Sequence, residues 1–114
     1  MSYEDMARSH VKELAREAFE LEAVVVDAHG DLPFPCGTAV VYVSVEHGGH
    51  AVRAWSAAVR GIEVRKVVLR ELDEANACAV LARLYTRGST VYVEGVLPVV
   101  TLRPQDLGRL VAEV

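Results

Sequence analysis

The chain predicts an α+β fold in the order α-β-β-β-α-β-β-α, an antiparallel sheet of about five strands with helices packed on it. Three observations carry that prediction. Ala7, Val11, Leu14, Ala18 and Leu21 recur at helical spacing near the start. Residues 38–46 alternate strictly, with Ala39, Val41, Val43 and Val45 on one face and Thr38, Val40, Tyr42, Ser44 and Glu46 on the other. Two turn signals, Gly48-Gly49 and Thr86-Arg87-Gly88-Ser89, each join strand-like runs.

Taken in order, Ser2 is placed to cap a helix over roughly residues 3–22, with Glu4 and Asp5 in its first turn where carboxylates favour the positive helix end. The run Val24-Val25-Val26 predicts a first strand over 23–28, ended by Gly30. Residues 30–37 hold Pro33 and Pro35 between two glycines, which predicts a loop. Strand 38–46 turns at Gly48-Gly49, flanked by His47 and His50, and returns over 51–57. After Gly61, the residues Val67, Val68, Leu69, Leu72 and Ala75 make a short helix ending near Asn76, a residue that tolerates a left-handed cap. Residues 77–85 satisfy either period, helical through Ala79 and Ala82 or extended through Cys78, Val80, Ala82 and Leu84. The hairpin signal that follows needs a strand on its near side, so they are assigned as strand, paired with a strong strand over 90–97. Pro104 opens a last helix with the stripe Leu107, Leu110, Val111 and Val114.

Composition excludes several function classes. The 114 residues suit one domain, expected to span 1–114, and 52% hydrophobic with 25% charged residues is the composition of a packed globular chain. A net charge of −4 repels phosphate backbones and anionic lipid surfaces, so neither nucleic acid nor membrane is an expected partner. Cys36 and Cys78 lie far apart without metal or redox spacing, and the charged first 21 residues lack a signal peptide's apolar core. A cytoplasmic location is therefore expected.

The element order, with the segments Val52-Arg53-Ala54-Trp55-Ser56 and Val68 to Asn76, the strand pair about Gly88, then Leu97-Pro98 and Leu107, resembles the fold of type III secretion chaperones and YbjN-like proteins. The resemblance covers most of the chain and is best over 51–114. It implies a small, often dimeric domain that holds a segment of a client polypeptide against its sheet and helices, without catalysis. The highly charged first helix, the His47–His50 turn and the proline-bracketed loop have no counterpart in that pattern.

If the strands pair as assigned, the sheet face away from the terminal helices presents Val40, Tyr42, Arg53, Trp55, Leu81, Tyr85, Tyr92 and Val96, with Arg83 and Glu94 among them. Three of the four tyrosines and the only tryptophan then share one surface. Aromatic and arginine side chains dominate protein contacts because they bury much area at modest entropic cost. Val40, Tyr42, Arg53, Trp55, Leu81, Tyr85 and Tyr92 are the candidate partner-binding residues. The competing account is burial of this face by the central helix or by a second copy in a homodimer. Strand addition at a free sheet edge is the companion mode.

The rival from another class is a small metal sensor or thiol enzyme built on His29, Cys36, His47 and His50, with Asp27 and Asp31 nearby. A structural metal site needs four converging ligands, and paired histidines on a turn do not supply them. Nothing around Cys36 matches a nucleophile signature, and Glu63, Glu71, Asp73 and Glu74 alternate with Arg65, Lys66 and Arg70 as a solvated face does. No glycine cluster has the strand-to-helix context of a phosphate loop. The expectation is a non-enzymatic, homodimeric peptide-binding domain without cofactor or metal.

Overall fold

The structure is a computed structural model and describes residues 2–36 and 38–114. Its elements are α1 (Tyr3–Ala18), β1 (Leu32–Cys36), β2 (Ala39–Glu46), β3 (Ala51–Val59), α2 (Lys66–Cys78), β4 (Ala82–Arg87), β5 (Thr90–Pro98) and α3 (Pro104–Glu113). A short 3-10 turn, His47–Gly49, links β2 to β3. The predicted element order stands.

All strands pair antiparallel in the order β1-β2-β3-β5-β4. Residues directly opposite one another share a face. Val43 faces Leu32 and Ala54, and Ala54 faces Gly95, so these line one side. Helices α1 and α3 cover that side. Ala7, Val11, Leu14 and Ala15 from α1 meet Leu107, Leu110 and Val111 from α3 over Val41, Val43, Val52 and Ala54. Fully buried leucines such as Leu107 and Leu110 each contribute on the order of 2–5 kcal/mol against truncation.

Local chemistry explains the helix ends. Ser2 Oγ accepts from the Asp5 amide while Asp5 accepts from the Ser2 amide, a reciprocal capping box. The far end falls at Ala18 rather than near residue 22. Glu20 takes φ 53°, and the Glu20 and Leu21 amides donate back to the carbonyls of Glu17 and Arg16. This is a Schellman close with glutamate where glycine is usual, so the sequence carries no stop signal there. The turn drives Phe19 onto Phe34, ring centroids 4.8 Å apart.

Two segments depart from expectation. Residues 23–28 form no strand; Val24 is buried in the core while Val25 and Val26 lie exposed, so the β-branched run is a connection outside the sheet. The first strand is instead Leu32–Cys36, containing both prolines that argued for a loop. β1 is an edge strand, and Pro33 and Pro35 share one parity, so a ladder carried by Leu32, Phe34 and Cys36 requires no donor from either. Gly37, the second bounding glycine, lies outside the described residues.

Residues 77–85 are also divided. Ala77 and Cys78 finish α2, residues 79–81 are neither helix nor strand, and pairing begins at Ala82. The expected hairpin then follows, from Arg87 opposite Thr90 back to Ala82 opposite Gly95. Asn76 is not a left-handed cap. It stands inside α2 and reaches sideways to β4, with consequences described below.

Candidate functional site

The sheet face opposite α1 and α3 carries a row of four rings crossing four strands. Tyr42 lies directly opposite Trp55 on the β2–β3 pair, and Tyr85 directly opposite Tyr92 on the β4–β5 pair. Tyr42 and Trp55 stack with centroids 4.7 Å apart, Tyr85 and Tyr92 stack at 5.5 Å, and Trp55 meets Tyr92 edge-on at 6.4 Å. The last contact is diagonal, since Trp55 faces Glu94 and Tyr92 sits two residues along β5. Such pairs contribute about 0.5–1.5 kcal/mol each beyond their burial, so the row is a preset surface rather than four loose side chains. All four rings remain partly exposed.

A charge network runs beside the rings. Arg53 donates from Nε to Glu94 Oε2 at 3.0 Å and from a terminal nitrogen to the Tyr85 hydroxyl at 3.0 Å. Arg83 donates to the other Glu94 oxygen at 3.2 Å, and Glu46 stands 3.6 Å from Arg53. The Arg53 guanidinium carbon lies 5.2 Å from the Trp55 ring centre, a cation–π distance. Burial by itself pushes the Glu94 carboxyl up, but the Arg53 hydrogen bond and charge, joined by Arg83, outweigh it and hold the group below its ordinary range. Arg53 is correspondingly pushed up: burial opposes its charge, and Glu94 more than restores it.

Six of the seven candidate residues, Val40, Tyr42, Arg53, Trp55, Tyr85 and Tyr92, fall on this face by register, joined by Val96, Arg83 and Glu94. Leu81 does not join them. It lies one residue before β4 and packs against the core cluster, its amide donating to Glu113 of α3. The chain bends at 79–81, so the alternation that would place Leu81 beside Arg83 starts too late to reach it. A concavity of about 600 Å³ opens beside Tyr42, Trp55 and Tyr92, walled by Asp27, Asp31 and Arg60.

Both sheet edges are blunted. At the outer edge of β4, the Asn76 side chain accepts from the Leu84 amide at 2.6 Å and donates to the Leu84 carbonyl at 2.9 Å, occupying the positions an added strand would use. At the outer edge of β1, Pro33 and Pro35 remove two donors. Strand addition loses hydrogen bonds at either edge. Asn76 was missed as a functional residue because an asparagine near a helix end reads as a cap; nothing in its spacing signals a partner eight residues on.

The metal rival finds no ligand set among the described residues, where no three His, Cys, Asp or Glu side chains converge to hold a metal ion. His50 is instead half of a ring pair with Tyr3 of α1, centroids 4.9 Å apart. Gly49 is buried under the same helix at φ 100°, and a Cβ there would stand 3.0–3.1 Å from Tyr3, Glu4 and Ala7. The His47–His50 turn is a docked structural tip. Asp27 is likewise occupied: its Oδ1 accepts from the amides of His29 and Asp31, closing the loop before β1.

A five-stranded antiparallel sheet with two helices on one face and a third at its edge is the fold of type III secretion chaperones. The chain superposes on the structure described as the HopA1–SchA chaperone–effector complex with TM-score 0.73 at 15% identity, over 95% of this chain and 89% of that one. It superposes on the Yersinia pestis type III secretion chaperone SycH, solved with a fragment of YscM2, with TM-score 0.70 at 17% identity over 93% and 91%. For the ExoT–SpcS complex of Pseudomonas aeruginosa the values are 0.68 and 13%, over 93% and 88%. No curated protein matches the sequence. The chain belongs to the family described as T3SS (YopN, CesT) and YbjN peptide-binding chaperone 1, matched over residues 5–114. Its partner is therefore a polypeptide.

Proposed function

We propose that this protein is a non-catalytic, homodimeric chaperone of the cytoplasm, a single domain over 1–114, which holds an extended segment of a partner polypeptide against its open sheet face. Val40, Tyr42, Arg53, Trp55, Tyr85 and Tyr92 are the contact residues. The supporting observation is the four-ring row on a face that neither α1 nor α3 covers. The blunted edges favour the face over strand addition. The family's peptide-binding description and the chaperone–effector complexes of the same fold agree with this reading.

Helix α2 supports the dimer. None of its residues is buried, and Val67 and Leu69 are 61% and 49% exposed. An amphipathic helix that leaves such residues exposed gains by burying them in a second copy. Cys36 and Cys78 are both exposed free thiols, which suits a reducing compartment. No described helix is long and apolar enough to cross a membrane.

The test is a matched comparison of the wild type, Trp55→Ala and Tyr92→Ala for retained partner from the native cell, with size-exclusion light scattering for mass. Loss of the same partner from both variants, at unchanged mass and with each melt showing a folded protein at the assay temperature, supports the reading. Retention by both variants refutes it.

A further inference from the structure

The ring row is not electrically even along its length. Where it reaches β4, an open cleft of about 630 Å³ is lined by Arg53, Arg83, Arg87, Glu94, Tyr85 and Asn76. Three guanidiniums there face one carboxylate. Glu94 is already committed, one oxygen to Arg53 and the other to Arg83. Arg83 remains 72% exposed after that contact. Arg87 is exposed and makes no ion pair among the described residues, although α2 beside it carries Glu71, Asp73 and Glu74. In a chain with net charge −4, this is a local excess of positive charge. At the other end of the row Asp27, Asp31 and Arg60 give no such excess.

Guanidinium groups bind carboxylates through paired, directed N–H donors. Tyr42 and Tyr85 are separated by three inter-strand steps, about 14 Å, which four or five residues of extended chain span. Resting on the binding face proposed above, we infer that the partner segment is apolar over the rings and acidic where it meets Arg83 and Arg87. Its apolar residues cover Tyr42, Trp55 and Tyr92, and its aspartate or glutamate side chains sit in the β4 cleft. Arg53 stays paired with Glu94 while it contacts the segment, and holds Trp55 and Tyr85 in place.

Trp55 is the only tryptophan and lies in the row, so its fluorescence reports occupancy of the face directly. The probes are three synthetic serine–valine peptides of one length, ending in paired glutamates, glutamines or lysines. The wild type should bind the glutamate peptide about tenfold more tightly than the lysine peptide, with the difference shrinking at high salt. An Arg83→Gln/Arg87→Glu variant, with its melt recorded alongside, should invert the order. Arg87→Glu alone, at a side chain with no ion pair to lose, should narrow the gap if the double variant fails to fold. Equal affinity for all three peptides, or preference for lysine, overturns the acidic-segment inference while leaving the face as a binding surface. No change in Trp55 emission with any peptide counts against the face itself, and the inference falls with it.

Discussion

Replacing Glu94 with glutamine keeps the side-chain shape and removes the charge that two arginines share. Breaking a fully buried ion pair by losing one partner costs about 3–5 kcal/mol, whereas an exposed pair contributes about 0.2–1 kcal/mol. The Arg53–Glu94 pair lies between these limits: its side chains are 22% and 11% exposed, and Arg53 retains Glu46 at 3.6 Å and the Tyr85 hydroxyl. About 2 kcal/mol is the expected loss. For a chain of 114 residues, with roughly 2 cal/mol/K of unfolding entropy per residue, that lowers Tm by about 8 °C. Arg83→Gln removes only the exposed arm of the network and should cost less than about 1 kcal/mol. The pH dependence has a defined sign. Glu94 is held below its ordinary pKa in the folded protein, so its contribution is present above that ordinary value and is lost as the pH falls through the lower, folded one. The wild type should therefore lose its advantage over Glu94→Gln in acid. Circular-dichroism melts at matched concentration, from neutral pH downward, measure both effects. A Glu94→Gln shift below about 2 °C, a larger shift for Arg83→Gln, or a gap that persists unchanged into strong acid would refute the account of Glu94 as the shared acceptor of the arginine network.

Gly95→Ala should destabilise by about 1–3 kcal/mol in urea unfolding. The new methyl would press on Leu110 and stand 2.9 Å from the Leu81 carbonyl, and although Leu110 can turn, the Leu81 backbone must move with the entry to β4; wild-type stability would show that this entry is loose. Asn76→Ala strips the clasp from Leu84 and should cost about 1–3 kcal/mol while making β4 a free edge, seen as concentration-dependent growth in light scattering. A variant that melts and scatters like the wild type would mean that the clasp does not guard the edge.

The elements most legible in the sequence were those whose burial has one consistent period. β2 alternates because one face meets the core and the other faces outward, and α3 shows its stripe because Leu107, Leu110 and Val111 all point the same way. Legibility failed where tertiary context overrode a local preference. The valines at 24–26 have strand propensity but no neighbouring strand to pair with, while Leu32–Cys36 pairs despite its prolines because an edge strand bonds on one side only. The ring row was legible, since parity alone gathers Tyr42, Trp55, Tyr85 and Tyr92 once the strands are paired. The Arg53–Glu94–Arg83 network was visible only as residue types. Which oxygen meets which guanidinium depends on β3 and β4 flanking β5, an order that alternation cannot supply.

That strand order also explains why the proposed site takes the form it does. With β5 set between β3 and β4 and β4 outermost, the connection through α2 must pass around the end of the sheet, which leaves α2 beside the β4 edge instead of over either face. Two helices then suffice for one face only. A sheet in this position is usually solvated by polar residues on its second side. Here four rings interlock across that side, and the buried carboxylate of Glu94 is neutralised by two arginines. A solvated face needs neither feature. Aromatic area kept in register by strand pairing, beside edges that reject another strand, matches a surface that recognises side chains of an extended segment. On the proposed reading the selectivity belongs to Trp55, Tyr92 and the β4 arginines, and substitution there should change binding before it changes the fold.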